Sequence, residues 1–260
     1  MLDAKCVFKC PHRHFSHLLQ VWNLPDPAVT PAQMALSLDH WYGITCNRSN
    51  VFNEECRGFT HCGIVGMNVM VGRADAAAGN LTDLVDTLIT PNAMYGEEVF
   101  ANSPWEFSPV AESAYCGAAG VHEMLLSPRP SDPAVLRVLP GVPASWRDLA
   151  FHDLQAAGGL RLSLQRSNGT LQFVRVALGP AGTATLDVAD WANATTRIAW
   201  VPAAARVQAA GPGTWTVAGA AEVILYPAAR PAGPFVVAPL PGNASEFNWF
   251  GLRRAPSLLH

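Results

Sequence analysis

The hydrophobic pattern of the chain changes its period near residue 130, and this change constrains the fold more than any other feature. Before it, apolar residues recur every three or four positions, as over 81–88, which predicts amphipathic helices. After it, apolar and polar residues alternate, as over 160–165, which predicts strands. The sequence therefore predicts an α unit over residues 1–130, followed by a β unit over residues 131–260.

Four helices are predicted in the first part. The first has the signature of a capping box: Thr30 as N-cap, Pro31 at the first helical position and Gln33 three residues after the cap. It is expected to end near Gly43. The other three are predicted over 62–71, 74–88 and 113–126, and the stretch 92–110 between the last two is predicted to be irregular.

Short strands are predicted in the second part. The Asn168-Gly169 pair follows the alternating run and precedes another apolar run over 171–178, which predicts a β-hairpin with a tight turn. Further strands, separated by turn residues, are predicted at 185–188, 197–201, 214–217 and 222–226. Such spacing is typical of a small antiparallel β-sandwich.

Composition and charge exclude several classes of partner. Half of the residues are apolar and 14% are charged, so a packed core is expected rather than disorder. The formal net charge of −3 provides no basic surface for nucleic acid or for an anionic membrane. No apolar run approaches the roughly 20 residues of a membrane-spanning helix. Neither a cofactor nor a metal ion is expected.

Two features favour the secretory pathway. Asn-x-Ser/Thr acceptor sites occur five times among twelve asparagines, where about one is expected by chance. The candidate glycosylation sites are Asn47, Asn80, Asn168, Asn193 and Asn243.

The six cysteines are even in number and all lie in the first half, as a disulfide set does. Cys46 and Cys56 flank a polar stretch. They either form a disulfide that closes this stretch into a loop or are two buried free thiols. The first residues lack the apolar segment of a signal peptide, so a fragment of a longer protein is expected.

A cluster of histidines near the start of the chain is the first candidate site. His12, His14 and His17 are three of the eight histidines and lie within six residues. A neutral imidazole offers one donor and one acceptor, which suits a sugar hydroxyl. The alternatives are a solvated turn and a metal site. The metal site is disfavoured because a spacing of two and then three does not place the three rings on one helical face, and no HExxH motif follows.

Six short motifs occur in one order along the chain. They are His12-Arg-His-Phe-Ser-His-Leu-Leu, Thr90-Pro-Asn-Ala-Met-Tyr95, Pro109-Val-Ala-Glu-Ser, Val121-His-Glu-Met-Leu-Leu126, Val138-Leu-Pro-Gly-Val-Pro-Ala-Ser-Trp-Arg-Asp148 and Phe151-His-Asp-Leu154. This series resembles the C-terminal part of glycoside hydrolase family 95, whose best-known activity is α-L-fucosidase. The similarity covers roughly residues 10 to 180.

The resemblance implies a fold and a reaction. The fold would be the C-terminal part of an (α/α)6 six-hairpin barrel followed by an antiparallel β-sandwich, with the N-terminal half of the barrel missing from this chain. The reaction would be inverting hydrolysis of a terminal sugar from an oligosaccharide or glycan. Such hydrolysis needs an acid on the leaving oxygen and a base for water on the opposite face of the ring, with carboxyl groups about 6.5–9.5 Å apart.

The resemblance also assigns residues to the site. Glu112 takes the position of the family's base-side carboxylate, which lies in an Asp-Gly-Asn segment; here the segment reads Glu112-Ser113-Ala114, so the side chain is one methylene longer and the asparagine is missing. The general acid would lie before Met1. Substrate contacts are expected from His12, Arg13, His14 and Trp105. The stretches 11–19 and 109–126 are interpreted as opposite walls of one sugar-binding pocket.

Each of these residues also has a structural interpretation. Glu112 can be an acid in the first helical turn, favoured by the helix dipole. Trp105 can anchor a loop by its ring, and both His122 and Glu123 are interpreted as structural. A second class of function therefore stays open, namely a non-catalytic carbohydrate-binding or structural glycoprotein with a degenerate site. The change from the Asp-Gly-Asn pattern favours this alternative.

An incomplete barrel has a consequence for solubility. Missing hairpins would leave the apolar sides of the inner helices in water, which promotes association. We therefore expect the isolated 260-residue chain to elute as aggregates or oligomers in size-exclusion chromatography. A monodisperse monomer that melts cooperatively would contradict the incomplete barrel.

Overall fold

The computed structural model describes residues 14–22, 24, 26–46, 56, 58–88, 95–98, 107–193, 196–231 and 233–237. These residues divide into two compact units, one that extends up to Met124 and one that begins at Leu125. The first unit contains the helices and a two-stranded ribbon, and the second contains two larger sheets. The order of a helical part followed by a β part is therefore confirmed.

The four predicted helices are present in the first unit. They are α1 Pro31–Thr45, α2 Gly58–Met70, α3 Ala74–Asp83, which continues into a π-helical turn over Leu84–Leu88, and α4 Glu112–Leu125. The capping box of α1 is confirmed, since the Gln33 N–H donates to the Thr30 hydroxyl and the Thr30 N–H donates to the Gln33 side chain. Among the described residues these helices do not close into a barrel.

A short antiparallel ribbon precedes α4. It is formed by β1 Tyr95–Glu98 and β2 Phe107–Val110, whose register pairs Tyr95 with Val110. The prediction of an irregular stretch over 92–110 is therefore wrong for these eight residues. Gly96 and Pro109 are typical of loops and conceal the strands in the sequence. Here they pair with each other in a two-stranded ribbon, where a proline that lacks an N–H is tolerated.

Glycines bring the helices of the first unit close together. A Cβ atom on Gly120 of α4 would lie 2.8 Å from Cγ1 of Val65, so α2 and α4 touch there almost backbone to backbone. At Gly63 of α2 the position of a Cβ atom is taken by the ring of Phe15. Phe15 in turn belongs to a buried aromatic and aliphatic cluster with Trp41. The small residues that weaken the helix propensity of α2 are therefore required by its packing.

The cysteines of the first unit are in two states. Cys46 and Cys56 form a disulfide with an S–S distance of 1.94 Å, which confirms the disulfide-bonded loop. Cys62 and Cys116 are free thiols. The expectation that the cysteines form one disulfide set is therefore wrong for these two residues, and Cys6 and Cys10 lie outside the described residues.

The second unit consists of two five-stranded sheets. In chain order its strands are β3 Leu126–Arg129, β4 Asp132–Val138, β5 Leu149–Ala156, β6 Leu160–Ser167, β7 Thr170–Ala177, β8 Thr183–Val188, β9 Ile198–Val201, β10 Arg206–Gly211, β11 Thr214–Ala218 and β12 Glu222–Pro227. One sheet has the order β10-β11-β8-β4-β3 and the other β5-β6-β7-β12-β9. Both sheets contribute to one core, for example with Leu186 and Val217 from the first sheet and Leu164 and Val174 from the second.

Two details of these sheets differ from the predictions. The pairing of β4 with β8 is parallel, so the purely antiparallel arrangement is wrong for this pair. The chain leaves the first sheet after β4, makes a three-stranded meander in the other sheet and re-enters beside β4 in the same direction. The Pro-rich segment 127–133, where the hydrophobic period of the sequence changes, forms the β3–β4 hairpin. Pro128 is tolerated because β3 is an edge strand.

The predicted hairpin at Asn168-Gly169 is confirmed. Both residues have positive φ, 51° and 76°, as a tight turn between β6 and β7 requires. The preceding loop supports this turn, since the Asp148 carboxylate accepts hydrogen bonds from the Asn168 N–H and the Ser167 hydroxyl at 3.0 and 3.2 Å. In the motif that ends in Trp-Arg-Asp148, the aspartate therefore stabilises the turn between β6 and β7.

A C-terminal strap, made of residues 230–231 and 233–237, covers the outer face of the second sheet. Phe173 of β7 is buried but lies outside the core between the sheets. The ring of Phe235 covers it, with centroids 5.7 Å apart, and also contacts Tyr226 at 4.7 Å. Two arginines hold the strap: Arg175 donates to the Phe235 carbonyl at 2.7 Å, and Arg230 of the strap donates to the Gln172 carbonyl at 3.0 Å.

The contact between α2 and α4 predicts the effect of an added methyl group. Gly120→Ala would press a Cβ atom against the branched Val65 side chain, and overpacking of this kind costs about 1–3 kcal/mol of unfolding free energy. Gly79→Ala is the matched control, because Gly79 is exposed in α3 and no atom of the described residues lies within 4 Å of the added Cβ. It should stabilise the protein by about 0.5–1 kcal/mol. Urea unfolding measures the unfolding free energy of both variants. Equal effects of the two substitutions would contradict the close approach of α2 to α4.

The burial of His61 in α2 predicts a dependence of stability on pH. Partial burial lowers the pKa of His61, against the opposing charge of Asp83, and its Nδ1 atom has no hydrogen-bond partner among the described residues. In the unfolded chain the ring titrates near the ordinary value of about 6.5. The unfolded state therefore binds the proton more readily, and the contribution of neutral His61 is complete above about pH 6.5 and is lost as the pH falls below it.

We accordingly expect the unfolding free energy of the wild type to fall more than that of His61→Gln between about pH 7.5 and about pH 5. Denaturant unfolding at a series of pH values gives the change of unfolding free energy with pH for the wild type and for His61→Gln. His40→Gln, at an exposed position of α1, is the control and should follow the wild type. Parallel curves for wild type and His61→Gln would show that His61 does not carry the effect.

Candidate functional site

A cleft with a volume of about 510 Å³ lies within the first unit. One wall is formed by residues just after the start of the described chain, namely His14, Phe15, Ser16, Leu19 and Trp22. The facing wall is α4, through Cys116, Ala119 and Glu123, and Phe59 of α2 completes the lining. The cleft therefore brings together the two stretches, a hundred residues apart, that the sequence analysis interprets as opposite walls of one pocket.

Stacked rings hold the first wall in place. Phe15 is buried and lies parallel to Phe59, with ring centroids 5.2 Å apart. The ring of His14 packs on the same Phe59 at 5.1 Å, while His14 itself is exposed. Since aromatic contacts of this kind restrict a side chain, the imidazole of His14 is held at the opening of the cleft, where a bound molecule can reach it.

The second wall is one face of α4. Cys116, Ala119 and Glu123 follow one another at spacings of three and four residues, which places them on one side of a helix. Glu123 accepts a hydrogen bond from the indole N–H of the buried Trp22 and so links the two walls. The structural interpretation of Glu123 agrees with this bond, but its place in the cleft was not predicted from the sequence. The spacing of residues 112, 116, 119 and 123 was the available signal.

Glu112 lies on the same face of α4 but outside the cleft lining. It is the first residue of the helix and is exposed. Cys116 follows one turn later, about 6 Å along the helix axis, and Glu123 about 16 Å along it. An inverting pair needs carboxyl groups about 6.5–9.5 Å apart. Glu112 and Glu123 are therefore too far apart along the helix to serve as the acid and base of one reaction.

The other predicted site residues are found in different surroundings. His12, Arg13, Trp105, Asn47 and Asn243 lie outside the described residues. Within the helical unit, the side-chain amide of Asn80 accepts a hydrogen bond from Asn68 at 3.1 Å and donates one to the Tyr42 hydroxyl at 3.4 Å. In the second unit, Asn168 and Asn193 are exposed. Asn168 occupies the tip of a hairpin, a position that a glycan can reach.

The lining of the cleft defines what it can bind. Most of it is apolar, with the aromatic side chains of Phe15, Trp22 and Phe59, and the polar groups are few: an imidazole, a hydroxyl, a thiol and a carboxylate. Such a mixture is typical of sites for small organic molecules. No group of three or more His, Cys, Asp or Glu residues suited to a metal ion occurs within the described part of the chain.

The second unit contains a different cavity, of about 470 Å³, on the outer face of its second sheet. It is lined by polar side chains, including Asn168 and Gln172, and by Arg230, whose guanidinium lies 5.7 Å from the centre of the Phe173 ring. Its described lining includes no carboxylate, so these residues do not provide the acid and base of a hydrolysis.

No family model matches this chain, and no curated protein matches it. Its function is accordingly inferred from its motifs and from the geometry of the cleft. Among the described helices, none has the length and apolar character needed to cross a bilayer.

The hydrogen bond between the two walls can be tested by substitution. Glu123→Leu leaves the buried Trp22 N–H without this acceptor, which costs about 1–3 kcal/mol of unfolding free energy. Glu123→Gln keeps an oxygen acceptor at similar reach, so it should cost less. Chemical unfolding followed by tryptophan fluorescence measures both. If the two variants were equally stable, the bond would not link the walls of the cleft.

Proposed function

We propose that this chain is part of a glycoside hydrolase that resembles the α-L-fucosidases of family 95 and removes a terminal sugar with inversion. In this proposal residues 1–130 are the C-terminal part of an (α/α)6 barrel and residues 131–260 the β-sandwich that follows it. One observation carries the proposal: two motifs of the family-like series, the first and the fourth, contribute His14 and Glu123 to one cleft.

The chemistry of the cleft is consistent with a sugar that has an apolar face. A hexose bound in such a site typically lies against an aromatic ring while its hydroxyls are bound at the edges. Trp22 and Phe59 provide rings in the lining, and His14 provides an exposed imidazole beside them. A 6-deoxy sugar such as L-fucose adds a methyl group, which favours the apolar lining.

Glu112 is proposed as the general base of the reaction. It is an exposed carboxylate in the first turn of α4, and a carboxylate that water can reach is what a general base requires. It lies one turn from Cys116 of the cleft lining. The general acid is proposed to lie in sequence that precedes Met1, so the 260-residue chain alone should bind sugar without hydrolysing it.

A second candidate function is a non-catalytic carbohydrate-binding or structural glycoprotein. Two observations favour it. The segment Glu112-Ser113-Ala114 differs from Asp-Gly-Asn at all three positions, and the carboxylate that lines the cleft, Glu123, is already occupied by the Trp22 indole. In both candidate functions the protein passes through the secretory pathway and carries glycans at some of its five acceptor sites.

Sugar binding by the 260-residue chain tests what the two candidates share. We expect saturation-transfer NMR to detect L-fucose bound to the wild type, and His14→Ala to weaken binding about three- to tenfold, as the loss of a neutral hydrogen bond does. His40→Ala, an exposed histidine of α1 outside the cleft, should bind like the wild type. If no neutral monosaccharide binds, or if His14→Ala binds as tightly as His40→Ala, the cleft is not a sugar site.

Hydrolysis separates the two candidates. With an aryl α-L-fucoside, we expect turnover only from a longer gene product that includes the sequence before Met1, and Glu112→Gln should lower its kcat about 10²- to 10⁴-fold. Glu222→Gln, at an exposed carboxylate of β12, is the control. Turnover by the 260-residue chain would mean that the acid lies within it. Sugar binding without turnover in the longer protein would favour the non-catalytic function.

A further inference from the structure

The helices α2 and α4 carry the same short pattern, Cys-Gly-x-x-Gly. In α2 it runs from Cys62 to Gly66, and in α4 from Cys116 to Gly120. In each helix the cysteine and the last glycine are four residues apart and therefore lie on one face, a turn from each other. The two free cysteines of the described part of the chain are thus placed at equivalent points of two helices that touch.

The contact between the helices brings these equivalent points together. A Cβ atom on Gly120 would lie 2.8 Å from Cγ1 of Val65 and 3.6 Å from the backbone nitrogen of Gly66. Cys116 precedes Gly120 by one turn, and Cys62 precedes Gly66 by one turn. The thiols of Cys62 and Cys116 also interact with each other. Since the helices touch at the glycines and again at the cysteines one turn earlier, α2 and α4 run side by side in the same direction.

The surroundings of the two thiols differ. Cys62 is completely buried, and its thiol donates a hydrogen bond to the Phe59 carbonyl at 3.1 Å. Burial, and then the neighbouring Cys116 thiol, raise the pKa of Cys62, so it is a poor attacking group by itself. Cys116 is half-buried and lines the cleft. A reagent can therefore reach Cys116 through the cleft but cannot reach Cys62.

We propose that Cys62 and Cys116 form a redox-active pair that closes to a disulfide joining α2 to α4. The oxidant is a small disulfide such as oxidised glutathione. The Cys116 thiolate attacks one of its sulfur atoms and expels one glutathione thiolate, which leaves a mixed disulfide at Cys116. The Cys62 sulfur then attacks the Cys116 sulfur, gives up its proton and expels the second glutathione. Two cysteine thiols are oxidised and one glutathione disulfide is reduced to two thiols.

This pair is distinct from the other disulfide of the same unit. Cys46 and Cys56 are separated by ten residues and close one loop after α1. A Cys62–Cys116 bond would instead join two helices far apart in sequence, and it would fix the α4 wall of the cleft to the helix that carries Phe59. The proposal does not depend on the glycosidase function, because it rests on the packing of α2 and α4 alone.

Thiol mapping of the full chain tests the proposal. The protein is equilibrated in glutathione buffers from reducing to oxidising, the remaining thiols are alkylated, and the peptides are identified by mass spectrometry. We expect a peptide cross-linked through Cys62 and Cys116 to accumulate as the buffer becomes oxidising. The Cys46–Cys56 peptide is the internal control that the buffer oxidises the protein.

Variants separate the steps. Cys62→Ser should stop at Cys116 bound to glutathione, and Cys116→Ser should leave Cys62 reduced. Oxidation should also raise the Tm of the wild type by about 5 °C more than that of Cys62→Ser, since the second bond closes a long loop.

The thiol map of the wild type decides the question even if a variant fails to fold. The proposal is overturned if Cys62 and Cys116 are alkylated separately in a buffer that forms the Cys46–Cys56 bond. It is also overturned if either residue pairs with another cysteine, or if the wild type keeps a glutathione adduct.

Discussion

The helical unit depends on the close approach of α2 and α4 at two glycines. At Gly66 the space that a side chain would fill is taken by the Trp22 indole nitrogen and the Glu123 carboxylate, which are hydrogen-bonded to each other. At Gly120 the same space is taken by Val65. The bond between the two walls of the cleft therefore lies directly on the backbone of α2. A larger residue at Gly66 would change the helix packing and the cleft together.

This arrangement explains why the cleft has little polar surface. Aromatic rings from residues 14–22 pack there onto a helix of small residues. Phe15 and Trp22 of the lining therefore also belong to the hydrophobic core, and Phe59 and Cys116 pack against it. The imidazole of His14 and the carboxylate of Glu123 are held by contacts with Phe59 and Trp22. Groups fixed in this way keep their orientation without a ligand, which reduces the entropy lost on binding.

The sequence predicted the elements well wherever local signals were strong. The capping box of α1, the four helices and the Asn168-Gly169 hairpin all depend on neighbouring residues, and all are present. The ribbon over residues 95–98 and 107–110 was missed because four-residue strands with glycine and proline leave no periodic pattern. The parallel pairing of β4 with β8 joins strands on opposite sides of a three-stranded meander, so no local signal reports it.

The candidate site was predicted only in part, for a related reason. The family-like motifs pointed to the two stretches that line the cleft, but not to Trp22, Phe59 or Glu123, whose roles arise from contacts between elements. A helical face can be read from spacing, whereas the hydrogen bond from Trp22 to Glu123 joins residues 101 positions apart. Glu112 follows from the motif series alone, and its role depends on the proposed function.

The C-terminal strap shows that the sandwich is not complete where its last strand ends. A β unit cut after Pro227 would keep all ten strands of its two sheets. It would nevertheless uncover Phe173 and Tyr226, because the ring of Phe235 contacts both of them. An autonomous form of this half must therefore extend at least through Phe235, because a covering aromatic ring, and not only the strands, completes the domain.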